Sequence, residues 1–409
     1  MQDNSVFSPA TREAGLQRLR DFQPNMGIAY AKMRNEDRGP GNHNAVSRLS
    51  PYIRRRLVTE TEVIAAALAA HGPENAEKFV QEVLWRGYFK GWLERRPQVW
   101  ANYVTGLNND LKLLKSDADL QSKIIAAETG ETGIDCFDAW AKELTSTGYL
   151  HNHARMWFAS IWIFTLGLPW RLGCDFFFRH LLDGDPASNT CSWRWVAGLH
   201  TRGKPYEARA WNISRFTGGR FSPREEDFTS DIIGLMKEEP DGLPEVQPLR
   251  SVIAPQPDVP TAVILTEEDC SITKSDLASL DIRAAARLHA SHLRSPMAVY
   301  AGVTDFETGA LADTAARAGL ETETLTALDP VNLANWADAA GARQIAMPYV
   351  PVGPLADWLA QAQPILKERG ITVTEWRRDW DAQIWPYATA GFFKVKKRMP
   401  EILNAAGLT

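Results

Sequence analysis

The chain has 409 residues, which is enough for two domains that each bury a core of their own. Its net charge of −5 excludes a general attraction to nucleic acid, so any DNA contact needs a local cluster of cations. The four cysteines are scattered and form no Cys-x-x-Cys pair, which argues against structural disulfides, zinc ribbons and iron–sulfur clusters.

The chain carries no sign of a membrane segment. No apolar run reaches the roughly twenty residues that a spanning helix needs. The first residues, Met1 to Asn4, lack the basic and apolar regions of a secretory signal. We therefore expect a cytoplasmic protein without membrane contact.

The N-terminal half has the apolar spacing of helices. Apolar residues recur every three or four positions in four stretches, at residues 8–22, 60–71, 74–96 and 134–144. An acidic, proline-rich segment follows at residues 239–260, and this composition is typical of a linker.

The C-terminal part has a different pattern. Short apolar runs typical of buried strands occur at residues 262–265, 298–301, 344–347 and 371–373. Helical stretches lie between or after them, at residues 309–318, 331–340 and 353–369. This alternation predicts a parallel sheet with crossover helices.

The residues between Gly148 and Trp195 are the strongest functional signal. The stretch begins Gly-Tyr-Leu-His-Asn-His-Ala-Arg-Met and later reads Asp-Gly-Asp-Pro-Ala-Ser-Asn before Trp-Arg-Trp. Buried Asp, Asn and Arg side chains cost free energy unless a polar group pairs with them. The stretch therefore predicts a bound polar cofactor.

These two motifs resemble those of the photolyase and cryptochrome family. Its members carry Gly-Trp-Met-His-Asn-Arg-x-Arg-Met and, further on, Asp-Gly-Asp-x-Ala-x-Asn followed by Trp-x-Trp. Here Tyr149 replaces the tryptophan and His153 the first arginine, while the second motif, which starts at Asp183, matches at every named position. The resemblance implies FAD, bound non-covalently in a helical domain.

The resemblance also implies which residues hold the FAD. Residues 46–50, Val-Ser-Arg-Leu-Ser, are similar to the family's Thr-Ser-Arg-Leu-Ser stretch, which binds the pyrophosphate at a helix N-terminus. Asn189 matches the amide that faces the flavin N5. The full set of expected contacts is Tyr30, Ser47, Arg48, Leu49, Ser50, Arg86, Phe89, Asn152, Arg155, Asp183, Asp185 and Asn189. The spacing of His151, His153 and the two aspartates fits no metal-ligand pattern, so we expect no metal.

Glu82 and Trp85 are the expected centre of a substrate site. Residues three apart lie on one helix face, so both side chains point into one cavity. In the family's repair enzymes the carboxyl hydrogen-bonds a base edge and the indole packs on a pyrimidine dimer. The same resemblance implies further substrate contacts by Met156, His153, Trp195 and Arg209. A cationic cluster could reach phosphates or be an ordinary solvated surface; it comprises Arg202, Lys204, Arg209, Arg215 and Arg220.

The resemblance gives two tryptophans a role in electron transfer. Trp193 and Trp170 match the first two members of the family's relay to photoexcited flavin. The third member is expected near Asp117, where no tryptophan occurs. The candidates to replace it are Trp140, Trp157 and Trp162.

The domain order looks reversed with respect to the family, whose ordinary members place the α/β domain first. We predict an all-helical, photolyase-like FAD-binding domain at residues 1–238, a linker at 239–260 and a Rossmann-like parallel α/β domain at 261–409. This order indicates a natural circular permutation, with an unrelated α/β module as the alternative. The α/β domain shows no antenna motif, so a second chromophore stays unidentified.

The leading functional prediction is a deoxyribodipyrimidine photolyase, in which excited reduced FAD donates an electron that splits pyrimidine dimers in damaged DNA. Asn189 favours repair, whereas His153 and the shifted Arg209 do not match the family's phosphate-binding arginines. The alternative is a cryptochrome-type blue-light photoreceptor with FAD that acts through a protein partner. A flavin-binding protein without either role is the third possibility.

Overall fold

The computed structural model of the chain describes residue 7 and residues 9–408. Its N-terminal half is helical, without a strand among the described residues. The helices are α1 Arg12–Phe22, α2 Ile28–Met33, α3 Ser50–Arg54, α4 Glu60–Glu94, α5 Pro97–Ser116, α6 Ala118–Thr129, α7 Asp135–Thr147, α8 Asn152–Ser160, α9 Trp170–His180, α10 Pro186–Val196 and α11 Ala210–Phe216. The four predicted helical stretches are confirmed. Among the described residues, no helix is long and apolar enough to cross a membrane.

The long helix α4 joins two of the predicted stretches. It starts with a capping box in which the Thr59 hydroxyl accepts from the Glu62 backbone N–H and the Glu62 carboxylate accepts from the Thr59 backbone N–H. The helix is interrupted at Gly72, whose φ of +70° is left-handed, and Pro73 follows. The kink separates the second half of α4, which carries Glu82 and Trp85, from the first.

The C-terminal part contains a five-stranded parallel sheet in the order β3-β2-β1-β4-β5. The strands are β1 Pro260–Leu265, β2 Asp281–His289, β3 Glu323–Thr326, β4 Gln344–Pro348 and β5 Thr372–Trp376. The helices are α12 Lys274–Leu277, α13 Ala301–Ala318, α14 Pro330–Ala339, α15 Pro354–Glu368, α16 Asp379–Ile384, α17 Phe393–Lys396 and α18 Met399–Ala405. The predicted parallel sheet with crossover helices is confirmed.

One predicted strand is wrong. Residues 298–301 are not a strand, because Tyr300 forms the N-cap of α13 and its N–H donates to the Arg179 carbonyl at 2.9 Å. The second strand is instead Asp281–His289, whose three consecutive alanines between arginines look helical in sequence. Pairing with β1 and β3 on both sides overrides that local preference.

The two parts share one apolar core. Ile384 and Trp385 from the end of α16 lie directly on α4, next to Gly87 and Gly91. A Cβ at Gly91 would lie 2.8 Å from the Trp385 Cα, so only glycine permits this approach. The segment between residues 239 and 259 contains no helix or strand in the structure described, and the Gln247 N–H donates to the Arg95 carbonyl at 2.7 Å.

An ionic contact also joins the two parts. Three consecutive arginines at the end of α3 meet three consecutive acids that follow β1. All six side chains are buried. The pairs are Arg54–Glu268 at 2.7 Å, Arg55–Glu267 at 2.8 Å and Arg56–Asp269 at 3.2 Å. The carboxyl end of β1 therefore faces the helical part.

Candidate cofactor and substrate site

A cavity of about 870 Å³ lies between α1 and the loop that contains Ser47 and Arg48. Its volume is in the range of small-molecule and cofactor sites. Arg48 adopts a left-handed φ of +52°, which is uncommon for a residue with a side chain and occurs often at functional sites. The Ser47 hydroxyl accepts from the Leu49 N–H at 3.3 Å. Ser50 begins α3, which is only five residues long, so the predicted helix dipole is weak.

A buried group that the sequence did not predict lies at the start of this loop. His43 Nε2 is 2.6 Å from Glu143 Oε1, and its Nδ1 is 3.7 Å from Asp37 Oδ1. The Trp140 indole N–H donates to Asp37 at 2.8 Å. Asp37 and His43 lie in a Gly/Asn-rich loop without periodicity, which is why no sequence pattern indicated them. The possible ligand atoms of Asp37, His43 and Glu143 lie within 4.8 Å of one another. The absence of a metal, expected from the sequence, stays a prediction.

The carboxylates of the second motif come together with cations. Arg155 donates to Asp183 at 2.8 Å. Asp185 accepts from the Ser188 N–H at the start of α10 and lies 3.3 Å from the Lys90 ammonium. Burial by itself raises the pKa of the Asp185 carboxyl, but Lys90 and the nearby arginines hold that pKa well below its usual range.

Two carboxylate oxygens at this position have no hydrogen-bond partner. They are Asp183 Oδ1 and Asp185 Oδ2, both shielded from water, although Asp185 Oδ2 is the oxygen that forms the ion pair with Lys90. His151 Nε2 likewise has no hydrogen-bond partner. Because buried polar atoms are normally hydrogen-bonded, these groups fit a polar ligand that supplies the missing donors and acceptors.

The Asn189 amide has a fixed orientation. Its Nδ2 donates to the Cys174 carbonyl at 2.8 Å and lies 3.2 Å from the Cys174 thiol. This arrangement leaves the amide oxygen to accept a hydrogen bond from a ligand. Asn152, which begins α8, is exposed, while Arg155 and Met156 are half-buried.

Tyr149 lies between the loop cavity and the carboxylates. The Arg155 guanidinium is 5.8 Å from the Tyr149 ring centroid, and the His43 ring is 5.3 Å away. Burial raises the pKa of the Tyr149 hydroxyl. The Tyr149 ring therefore contacts His43 in the wall of the 870 Å³ cavity on one side and Arg155, the partner of Asp183, on the other. Asp183 and Asp185 themselves do not line that cavity.

Glu82 and Trp85 lie on one face of α4, as predicted. Glu82 pairs with Arg34 at 2.7 Å and keeps 32% of its side chain exposed. Burial raises the pKa of the Glu82 carboxyl, and Arg34 opposes this shift. The Glu82 carboxyl is therefore ion-paired and still partly open to solvent. Tyr30 packs against the Phe79 ring at 5.0 Å beside them.

Trp85 is in contact with the C-terminal part. The Phe392 ring is stacked on its indole at 4.0 Å and 13°, and Phe89 packs against it at 5.2 Å. Arg86 points the other way, donating to the Arg54 carbonyl at 2.8 Å. One face of Trp85 is thus occupied by protein, which the sequence did not indicate.

The other expected substrate residues each contact neighbouring side chains, and their role in substrate binding stays a prediction. His153 stacks on Trp157 at 4.0 Å, and Trp195 packs against Tyr206 at 5.3 Å. Arg209 is exposed and pairs with Glu207 at 2.8 Å. The predicted cationic cluster is partly neutralised, since Arg220 also lies 3.6 Å from Asp37. Phosphate binding by Arg209 stays a prediction.

The expected relay tryptophans are buried. Trp193 and Trp170 are 2% and 1% exposed. Of the three candidates for the missing member, Trp162 is the one in ring contact with Trp193 in the described chain, at 6.3 Å. Gly173 allows this approach, because a Cβ there would clash with both indoles. Trp140 and Trp157 instead stack on each other at 5.4 Å.

The contact geometry predicts which tryptophan matters for flavin photoreduction. We expect Trp162→Phe to slow bleaching of oxidised flavin under blue light more than Trp140→Phe does, and Trp193→Phe to slow it most. The measurement is absorbance at the flavin band during illumination with an external reductant. Equal rates for the Trp162 and Trp140 variants would contradict this route.

Part of the helical half of the chain is similar to the FAD-binding domain of known proteins. A profile of the FAD-binding domain of DNA photolyase matches residues 79–226. The deoxyribodipyrimidine photo-lyase of Streptomyces griseus is 36% identical over 163 residues, covering 40% of this chain and 34% of that protein. The protein of the same name from Thermus thermophilus is 35% identical over 201 residues, covering 47% and 44%. The chain thus spans less than half the length of these relatives.

Two solved structures are also similar. A class III photolyase from Agrobacterium tumefaciens has a TM-score of 0.42 at 26% identity and covers 52% of this chain and 44% of that one. A Synechocystis cryptochrome has a TM-score of 0.41 at 23% identity, covering 51% and 43%. The profile and sequence matches, together with the motifs at Gly148 and Asp183, support FAD as the cofactor. Residues 79–226 are thus similar to the FAD-binding domain of DNA photolyase, and the two motifs at Gly148 and Asp183 lie within this matched segment.

Proposed function

We propose that this protein is a photolyase that binds FAD and repairs cyclobutane pyrimidine dimers in DNA. The observation that carries the proposal is the Glu82 carboxyl, which is paired with Arg34 and still partly open to solvent on the face of α4 that also bears Trp85. A structural ion pair at a helix surface gains little free energy. The exposed part of the Glu82 carboxyl is available to a substrate.

The chain supplies groups that fit each part of FAD. Ser47 and Arg48 offer a hydroxyl and a cation to phosphate at the loop cavity. Arg155, Asp183 and the amide oxygen of Asn189 offer donors and acceptors to the flavin ring. When bound and reduced, FAD supplies light-driven electron donation.

The polar groups of α4 have a separate task in the proposal. Burial raises the pKa of the Glu82 carboxyl and Arg34 opposes this rise. The carboxyl oxygens that Arg34 leaves free hydrogen-bond the edge of a base. Arg34 holds the carboxyl in position. The open edge of Trp85 packs on the extruded base, as in enzymes that flip nucleotides out of the duplex.

The test uses a spectrum and one substitution. We expect purified protein to show flavin absorbance, and Glu82→Ala to retain the flavin while repair of a thymine dimer under light falls about tenfold or more. Dimer loss is measured by chromatography after illumination. Glu74→Ala, at an exposed position on the same helix, is the matched control. Unchanged repair by the Glu82 variant would refute the assigned role.

One observation favours the second candidate, a cryptochrome-type photoreceptor. Phe392 covers a face of Trp85 and so reduces the surface left for a dimer. In that case the flavin-loaded protein repairs no dimer and its output is contact with a protein partner. A flavin-loaded protein that shows neither activity corresponds to the third possibility.

We also propose the predicted domain limits, 1–238, 239–260 and 261–409, and a circular permutation of the family's domain order. The parallel sheet following the helical part and the absence of helix or strand at described residues 239–259 support this proposal. The acids that follow β1 occupy the edge of the sheet where open α/β sheets bind ligands. Since these acids are paired with Arg54 and Arg55, a second chromophore stays unidentified.

A further inference from the structure

The surface next to Trp85 is formed by the C-terminal part of the chain. Phe392 is 5% exposed and stacks on the Trp85 indole at 4.0 Å. It also contacts the Tyr88 ring edge-on at 5.7 Å. Aromatic contacts on two sides fix the backbone at residue 392 against α4. Whatever follows Phe392 in the chain is therefore held beside the candidate substrate site.

The residues after Phe392 are exposed and basic. Phe393 is 74% exposed. Residues 394–398 contain four cations and no acid, in a chain whose net charge is −5. An aromatic ring that is exposed beside several cations is costly in water and has no packing role in this structure.

Two of the four cations are neutralised and two are not. The neutralised members are Lys396, which pairs with Glu77 at 3.3 Å, and Arg398, which pairs with Glu401 at 2.6 Å. Lys394 and Lys397 are exposed. Within residues 9–408 no carboxylate forms a salt bridge with either, and Lys394 donates to the Thr389 hydroxyl at 2.6 Å.

We propose that residues 393–397 bind the DNA strand that contacts Glu82 and Trp85 at the candidate substrate site. Phe393 stacks on an unpaired base, and Lys394 and Lys397 contact phosphates. The charge of the patch is complementary to DNA and opposite to the net charge of the chain, so this patch supplies the local attraction that the whole protein lacks. The proposal rests on the proposed function and extends its DNA interface to the C-terminal domain.

The test compares two matched triple variants. One is Phe393→Ala, Lys394→Gln, Lys397→Gln. The control is Leu113→Ala, Lys112→Gln, Lys115→Gln on α5, where an exposed leucine likewise lies between exposed lysines. The probes are fluorescein-labelled oligothymidylate and a duplex with one thymine dimer. Binding is measured by anisotropy between 50 and 200 mM NaCl.

We expect the Phe393 triple variant to bind oligothymidylate about tenfold more weakly, since both stacking and phosphate contacts are lost. The slope of log K against log salt should fall by about 1.4, the value for two phosphate contacts to a single strand. The control should match the wild type in affinity and slope, and flavin absorbance should be unchanged in both.

Each other outcome has a separate meaning. Wild-type affinity and slope in the Phe393 triple variant, with repair intact, overturn this surface but not the proposed function. No DNA binding by the flavin-loaded wild type overturns the proposed function itself. If the triple variant loses flavin, Lys397→Gln alone is measured, and an unchanged salt slope overturns the proposal.

Discussion

Replacing Glu268 with alanine should destabilise the protein by about 3–5 kcal/mol. Glu268 pairs with Arg54 through both carboxylate oxygens, at 2.7 and 3.1 Å, and lies 3.5 Å from Lys90. Arg54 and Lys90 are each 3% exposed, and removal of the carboxylate takes away the shorter of the two ion pairs that Arg54 makes, leaving Glu267 at 3.5 Å from Arg54 and Asp185 at 3.3 Å from Lys90. The measurement is urea unfolding followed by tryptophan fluorescence.

The same substitution should loosen the contact between the two parts of the chain. We expect limited proteolysis to cut residues 239–259 faster in the variant, because Glu268 follows β1 while Arg54 ends α3. Glu13→Ala, which removes an exposed partner of Arg20, is the control and should change neither measurement. A Glu268 variant as stable as the control would show that the buried pair contributes no net stability.

Acid should destabilise the protein well above the pH at which carboxylates titrate. Burial lowers the pKa of His151 to about 3 and the pKa values of His180 and His200 to about 4. Unfolded histidine titrates near pH 6.5, so below that pH the unfolded chain binds protons that the folded chain excludes. Stability is therefore fully present above pH 6.5 and falls as pH drops toward 4.

Carboxyls with a raised pKa oppose this trend. Burial raises the pKa of Asp175 to about 6, so the folded chain gains a proton there before the unfolded chain does, and burial also raises the pKa values of Glu82, Glu94, Asp110 and Asp357. The three histidines and Asp175 together give a net uptake of about two protons on unfolding near pH 5, or roughly 2–3 kcal/mol per pH unit, and the four other carboxyls reduce this slope. Urea unfolding at pH 7.5, 6.5 and 5.5 measures this slope.

A single histidine substitution isolates the cause. His180→Gln should reduce the slope by about one proton, because glutamine keeps a donor for the Phe176 carbonyl but does not titrate. His71→Gln is the matched control, since the His71 ring also bonds a backbone carbonyl, that of Gln23. A stability that is flat between pH 7.5 and 5.5 would contradict the burial of these rings.

Local pattern was sufficient for most elements. The apolar spacing over residues 74–96 and the alternation after residue 260 depend on near neighbours in the chain, so helices and the parallel sheet could be predicted. The strand Asp281–His289 could not, because its alanines and arginines favour a helix until strands pair on both sides. The cofactor motifs were readable for a similar reason, since Asp183, Asp185 and Asn189 lie close together in sequence.

By itself the sequence indicated the resemblance to photolyases, the helical segment similar to their FAD-binding domain and the residues of the two motifs. Only the tertiary structure decided what surrounds them. Phe392 lies more than 300 residues from Trp85 and stacks on it, and His43 meets Glu143 across 100 residues. Contacts of this kind depend on how segments distant in the chain pack together, and no spacing in the sequence records that packing. The surface beside the candidate substrate site is therefore a property of the folded protein alone.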